Sequence, residues 1–150
     1  MDVLDLEHFL PYRLSVLANR ISHGFSRLYE EKFDLKLPEW RVMAALGRRP
    51  GITAREVADF TAMDKVAISR AVSRLMQMDR VIAIADSADG RRQKLSLSDA
   101  GLDIYRQIIP LAKRIEAALT DGIPADELAV LDKLLARLTN RAEEIGRAHV

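Results

Sequence analysis

The run Asp64-Lys65-Val66-Ala67-Ile68-Ser69-Arg70-Ala71-Val72-Ser73-Arg74-Leu75-Met76-Gln77-Met78 sorts, at 100° per residue, into a helix with two unlike faces. Ile68, Ala71, Val72 and Leu75 share one stripe and are predicted to be buried. Val66, Arg70, Ser73 and Gln77 fall opposite, flanked by Ala67, Ser69 and Arg74, and Asp64 is expected as the N-cap. The outward face joins small residues to good hydrogen-bonding ones and carries no carboxylate. A merely solvated helix face ordinarily mixes Glu and Lys in i, i+4 pairs. This composition instead suits a helix lying in a groove about 12 Å wide, the width of the DNA major groove.

The segments on either side give this helix a context. Thr53-Ala54-Arg55-Glu56 reads as a capping box, with the Thr53 hydroxyl accepting from the Glu56 amide while Glu56 reaches back. It opens a short helix to about Phe60, and Thr61-Ala62-Met63 is the tight connection onward, so the pair forms a helix-turn-helix. Val81-Ile82-Ala83-Ile84-Ala85 follows, β-branched and too short for a helix. Ser87-Ala88-Asp89-Gly90 then supplies a hairpin turn, and Lys94-Leu95-Ser96-Leu97 alternates as the returning strand. Arg91 and Arg92 stand at the tip of this ribbon, which needs neighbouring helices to be stable.

Further out lie long apolar stripes. Leu10, Leu14, Leu17, Ile21, Phe25 and Leu28 mark a helix over about Leu6–Lys32. A second runs from about Pro38 to Gly47, burying Trp40, Met43 and Leu46, with Gly47 and then Pro50-Gly51 ending it. Ser98 is expected to cap a helix reaching Thr120, bent at Pro110, and a final helix from Ile123-Pro124 carries Leu128, Leu131, Leu134, Leu135, Leu138 and Ile145. The fold class is mainly α: a winged helix-turn-helix with a two-stranded β wing plus N- and C-terminal dimerisation helices. Residues 1–150 read as a single domain, with a lobe over 38–98 and dimerisation helices over 4–37 and 99–146. A winged core of ~60 residues cannot cover all those leucines, so a second copy is expected to.

Composition narrows the chemistry. The chain has 150 residues, 49% of them hydrophobic and 30% charged, a soluble globular balance. With no cysteine there is no disulfide, thiolate catalysis or thiol oxidation. Three scattered histidines give no metal-ligand spacing and no Gly-rich phosphate loop is present, so neither enzyme, metal nor cofactor is expected. No apolar run approaches the ~20 residues of a membrane span, and the acidic start lacks a signal-peptide pattern; a cytoplasmic location is the expectation. The net charge of +1 is uneven. From Asp64 to Lys94 seven basic residues (Lys65, Arg70, Arg74, Arg80, Arg91, Arg92, Lys94) face four acids, whereas the stretch from Asp99 onward turns acidic. A bounded basic zone of this kind suits a polyanion.

Read in order, the chain resembles the MarR family of bacterial transcription regulators. Asp89-Gly90-Arg91, followed by Leu95-Ser96-Leu97-Ser98 and Gly101, looks like the family's wing motif and the helix start behind it. Asp64 to Arg70 with Arg74-Leu75 looks like its recognition helix, and Leu37-Pro38-Glu39-Trp40-Arg41-Val42-Met43 like the start of its second helix. Arg80-Val81 departs from the family's usual Gly-Leu, placing residue 80 either in an unstrained turn or in the left-handed region. Ala83-Ile84-Ala85 lacks the basic residue common near the first wing strand's end.

The resemblance implies a homodimer on pseudo-palindromic double-stranded DNA, its recognition helices in successive major grooves. Lys65, Val66, Ala67, Ser69, Arg70, Ser73 and Arg74 are then DNA-facing residues of the helix, although a salt bridge competes for Arg74. Asp89, Arg91 and Arg92 are those of the wing, Arg91 entering the minor groove and Asp89 orienting it. Arg55 would position the backbone, and Thr53 caps. The resemblance also implies a small aromatic effector, phenolic or carboxylate, for which Arg13, His23 and Trp40 are candidates, with a plain core role the alternative for Trp40. A repressor released by that effector is the leading expectation. A winged-helix protein-interaction module without DNA binding is the other.

Overall fold

The computed structural model describes residues 1–86 and 89–148, and for 86 and 89–91 the backbone alone. The chain is mainly helical: α1 (Leu10–Phe33), α2 (Leu37–Arg48), α3 (Ala54–Thr61), α4 (Lys65–Gln77), a hairpin of β1 (Val81–Asp86) and β2 (Asp89–Leu97), then α5 (Asp99–Leu119) and α6 (Ala125–Ala148). The backbone gathers into two compact units, Met1–Ala112 and the remainder from Lys113.

The core of the first unit draws on nearly every element in it. Tyr29, Phe33 and Leu35 come from the end of α1, Val42, Met43, Ala45 and Leu46 from α2, and Val57 and Ala58 from α3. Ile68, Ala71, Val72 and Leu75 of α4 are the four residues predicted for its inner stripe, and all are buried. Val81 and Leu95 close the core from the hairpin and Ile108 from α5. The first half of α5 therefore belongs to this unit, not only to a separate terminal helix pair.

Local signals explain most helix ends. The Thr53 hydroxyl accepts from the Glu56 amide at 3.2 Å and the Glu56 carboxylate accepts from the Thr53 amide at 3.3 Å, the expected box. The Ser98 hydroxyl accepts from the Gly101 amide at 3.0 Å and donates to the Asp79 carbonyl at 2.6 Å. Asp64 stands at the N-cap of α4, but its side chain makes no capping bond. The first helix does not run from Leu6. A 3₁₀ turn at Leu6–His8 precedes it, and α1 starts at Leu10 because Pro11, which has no amide to donate, is tolerated only in a first turn.

One glycine expectation changes and another gains its reason. Gly47 lies inside α2 rather than ending it, and a Cβ there would come within 2.4 Å of the Tyr105 ring, so its smallness makes room for α5. Gly101 lets α5 pass the Arg80 carbonyl, which a Cβ would meet at 2.0 Å. The left-handed residue after α4 is Asp79 (φ 59°), not Arg80. Its amide donates to Met76 O and that of Arg80 to Leu75 O, the bonds of a Schellman end.

The hairpin pairs Val81 with Leu97 through Ala85 with Gln93 and shifts register beyond Ala85. Val81 and Leu95 point inward while Ile82 and Ile84 are exposed, the alternation of a half-buried ribbon. Leu95 also bridges Ile52: Gly51 N donates to Leu95 O at 2.8 Å and Leu95 N to Ile52 O at 2.7 Å. The wing is thereby stitched to the loop ahead of α3.

Candidate nucleic-acid interface

Burying Ile68, Ala71, Val72 and Leu75 fixes what α4 turns outward. Lys65, Ser69, Arg70, Ser73 and Gln77 are exposed, Val66 is 54% exposed and Ala67 is half-buried. Salt bridges among the described residues do not involve Lys65 or Arg70. Ser69 and Ser73 line a cleft of about 620 Å³ together with Thr53 and Arg55 of the α3 start and Arg92 of β2. Helix face, cap and wing strand thus open onto one surface. Arg92 is exposed there, whereas the side chains of Asp89 and Arg91 lie outside the described residues.

Arg74 is placed differently from its neighbours. Its Nη1 donates to Glu39 Oε1 at 2.6 Å and its Nη2 pairs with Asp34 Oδ2 at 3.2 Å. The hydrogen bond and charge of Glu39, then those of Asp34, push its pKa still further up. The salt bridge that competed with DNA for this residue is present. Glu39, only 4% exposed, was not singled out by the sequence, although its place three residues after the α2 N-cap is a capping position. Its Oε1 also accepts from Lys36 N at 3.1 Å. Nearby, burial lowers the pKa of Arg80, against the pull of Asp34, and its Nη1 has no partner among the described residues.

The effector candidates do not converge within one chain. Arg13 and His23 are ten positions apart on α1, about 15 Å at 1.5 Å per residue, and line adjoining depressions that meet at Val16 and Arg20. Trp40 lines neither; it is half-buried between Tyr29 (ring centroids 5.1 Å) and Tyr105 (6.3 Å), part of an aromatic row with Phe25. The Tyr29 hydroxyl is buried without a partner among the described residues, and burial pushes its pKa up to about 12. Among the described residues no group of His, Asp and Glu could hold a metal, and no helix is long and apolar enough to cross a membrane.

Comparison with known proteins agrees with this geometry. The sequence model described as MarR family matches residues 33–92, from the end of α1 to the wing. The transcriptional regulator HosA of Escherichia coli O157:H7 is 23% identical, over 83% of this chain and 98% of its own length. The structure of a MarR/EmrR family transcriptional regulator from Acinetobacter sp. ADP1 superposes with a TM-score of 0.87 at 24% identity, covering 94% of this chain and 99% of that one. The PcaV transcriptional regulator of Streptomyces coelicolor, solved with its natural ligand, gives 0.75 at 28% identity over 95% and 99%. A helix face free of carboxylates, a wing behind it and these relatives converge: residues 33–92 match the MarR family, the chain has the winged helix-turn-helix fold, and it is a DNA-binding transcription regulator rather than an enzyme.

Proposed function

We propose that this regulator binds a pseudo-palindromic operator as a homodimer, represses from it, and is released by a small aromatic effector, phenolic or carboxylate. The observation that carries the reading is the outward face of α4, where Ser69, Arg70 and Ser73 stand exposed on a helix whose other side is fully packed. Arg70 is the guanine-reading or phosphate-clamping residue, Lys65, Val66, Ala67, Ser69 and Ser73 fit the groove wall, and Arg92 engages the backbone. Arg91, oriented by Asp89, takes the minor groove. Two-fold symmetry follows from apolar faces that one chain leaves uncovered: Leu10, Leu14 and Leu17 of α1, and separately Leu131, Leu134, Leu135 and Leu138 of α6. The effector claim draws on the PcaV structure, which contains a ligand, and on the guanidinium of Arg13 and the imidazole of His23, on an exposed helix that a second copy would have to complete.

A gel-shift titration with the gene's own upstream duplex tests the core of this. Wild type binds and weakens steeply with salt, while Arg70→Ala loses roughly 10- to 100-fold, the worth of a bidentate base contact. Arg91→Ala weakens binding as well, and unchanged affinity there removes the wing from the account. A wild-type protein that binds no such duplex would leave the interaction-module reading in its place. Adding hydroxybenzoates to the same reaction releases the DNA; insensitivity across the class defeats the sensor claim. Deleting the gene raises expression from its own promoter, and a fall instead makes the protein an activator.

A further inference from the structure

We infer that Arg74 is a positioning residue that seats α4 against the ends of α1 and α2 by gripping Glu39 and Asp34, and that it does not itself touch DNA; this rests on the DNA-binding reading above. Arg70 and Arg74 sit one turn apart on the same helix, about 40° from one another around its axis. Their surroundings differ. Arg70 is exposed and outside the salt bridges of the described residues, whereas Arg74 is half-buried and spends two nitrogens on two carboxylates from two other elements. Glu39 cannot spare it, because a nearly buried carboxylate stripped of its only cationic hydrogen-bond partner among the described residues is left uncompensated. Turning Arg74 toward a phosphate would break that pair.

The anchors are themselves fixed by backbone. Asp34 is the left-handed cap residue of α1 (φ 53°), its amide bonded to Glu30 O at 3.1 Å. Glu39 is held in the first turn of α2 by the Lys36 amide. Glu39 thus offers a held carboxylate and Asp34 one carried on a fixed backbone turn, and the azimuth of α4 follows as Arg74 reaches both. That azimuth decides whether Ser69, Arg70 and Ser73 meet a groove squarely.

Salt dependence separates a positioning role from a contact. A lost phosphate contact lowers the slope of log Kobs against log salt by ~0.9 per subunit; a misaligned helix weakens binding with the slope unchanged. With a duplex selected from a random pool by the wild-type protein, Arg74→Gln and Glu39→Gln should each weaken binding about tenfold at wild-type slope. The double variant should lose no more than Arg74→Gln alone, and Arg74→Lys should fail to rescue, because one ammonium cannot span both carboxylates. Asp34→Asn, which keeps a side chain tolerant of the left-handed region, should lose about twofold and gives the same slope test if a Glu39 variant proves unfolded in a melting curve. A slope reduced in Arg74→Gln, or full affinity in Glu39→Gln, overturns the inference. Loss of binding in Arg70→Ala alongside wild-type behaviour of the Arg74 and Glu39 variants sinks this inference and spares the function; failure of wild type to select any duplex sinks the function itself.

Discussion

Helices α4 and α6 carry the same kind of apolar stripe and meet opposite fates. In α4 the stripe of Ile68, Ala71, Val72 and Leu75 is buried by its own chain, and the opposite side, polar but for Val66 and Met76, remains in water. In α6, the longer helix, no residue is buried: Leu131, Leu134, Leu135 and Leu138 are 38–46% exposed. Identical periodicity thus reports two different things. In α4 it marks a helix whose stability is internal to the chain. In α6 it marks a helix waiting for cover, and on the reading proposed above the cover is a second copy. The distinction matters for function because a DNA reader must hold its face still, while an assembly surface must stay available.

The contrast can be broken at several points. Charging the α6 stripe with Leu134→Glu and Leu138→Glu should drop the mass seen in sedimentation from twice 16.9 kDa to that of one chain, and with it DNA affinity by two orders of magnitude or more. An unchanged mass would mean that α6 is not the covered face. Ile68→Ala, on the internal helix, should instead cost about 2–5 kcal/mol by opening a cavity under α4. The melting temperature of the α6 variant should lose its dependence on protein concentration, whereas that of Ile68→Ala should keep it. If both respond alike, the two helices do not differ in the way described.

Smaller effects sharpen the same picture of an internally satisfied lobe. Tyr29 keeps its phenol proton up to about pH 12, while in the unfolded chain it is lost near 10. Between those values the unfolded state sheds a proton that the folded state retains. Stability present below pH 10 should therefore fall across the window, by ~2 kcal/mol. Tyr29→Phe should abolish that fall, as a chemical-denaturation series across the window would record. At neutral pH the same variant should be no less stable than wild type, since the hydroxyl removed has no partner among the described residues. The least effect belongs to Asp79→Gly. Relieving a left-handed non-glycine residue at the end of α4 should add ~1 kcal/mol, read as a shift in the urea midpoint at constant slope.

What the residues disclosed in advance was whatever depends on near neighbours in the chain. The inner stripe of α4, the Thr53–Glu56 box and the Ser98 cap are all settled within one or two helical turns, and each is where its spacing placed it. Longer-range choices were hidden. Glu39 and Arg74 meet across 35 residues, and no local pattern announces that pairing. Gly47 has the look of a helix stop, but its purpose is set by a tyrosine ring from α5. The left-handed turn fell on Asp79 rather than Arg80 because the terminating bonds reach back to Leu75 and Met76, which fixes the count from the helix side. Arg13, His23 and Trp40 share suitable side-chain chemistry, but ten positions of helix α1 separate the first two.

The bridge between Ile52 and Leu95 divides the wing into two mechanical parts. Below it the ribbon is anchored by Val81, Leu95 and the loop before α3; past it, Ile84 pairs with Lys94 and Ala85 with Gln93 as a two-stranded ribbon. Any swing of the ribbon therefore pivots at Leu95, and the reaction at that fulcrum is delivered to Gly51 and Ile52, immediately ahead of the Thr53 cap. On the reading proposed above, in which the wing meets one groove and α4 the next, the two are joined through the backbone bonds of Gly51 and Ile52 with Leu95.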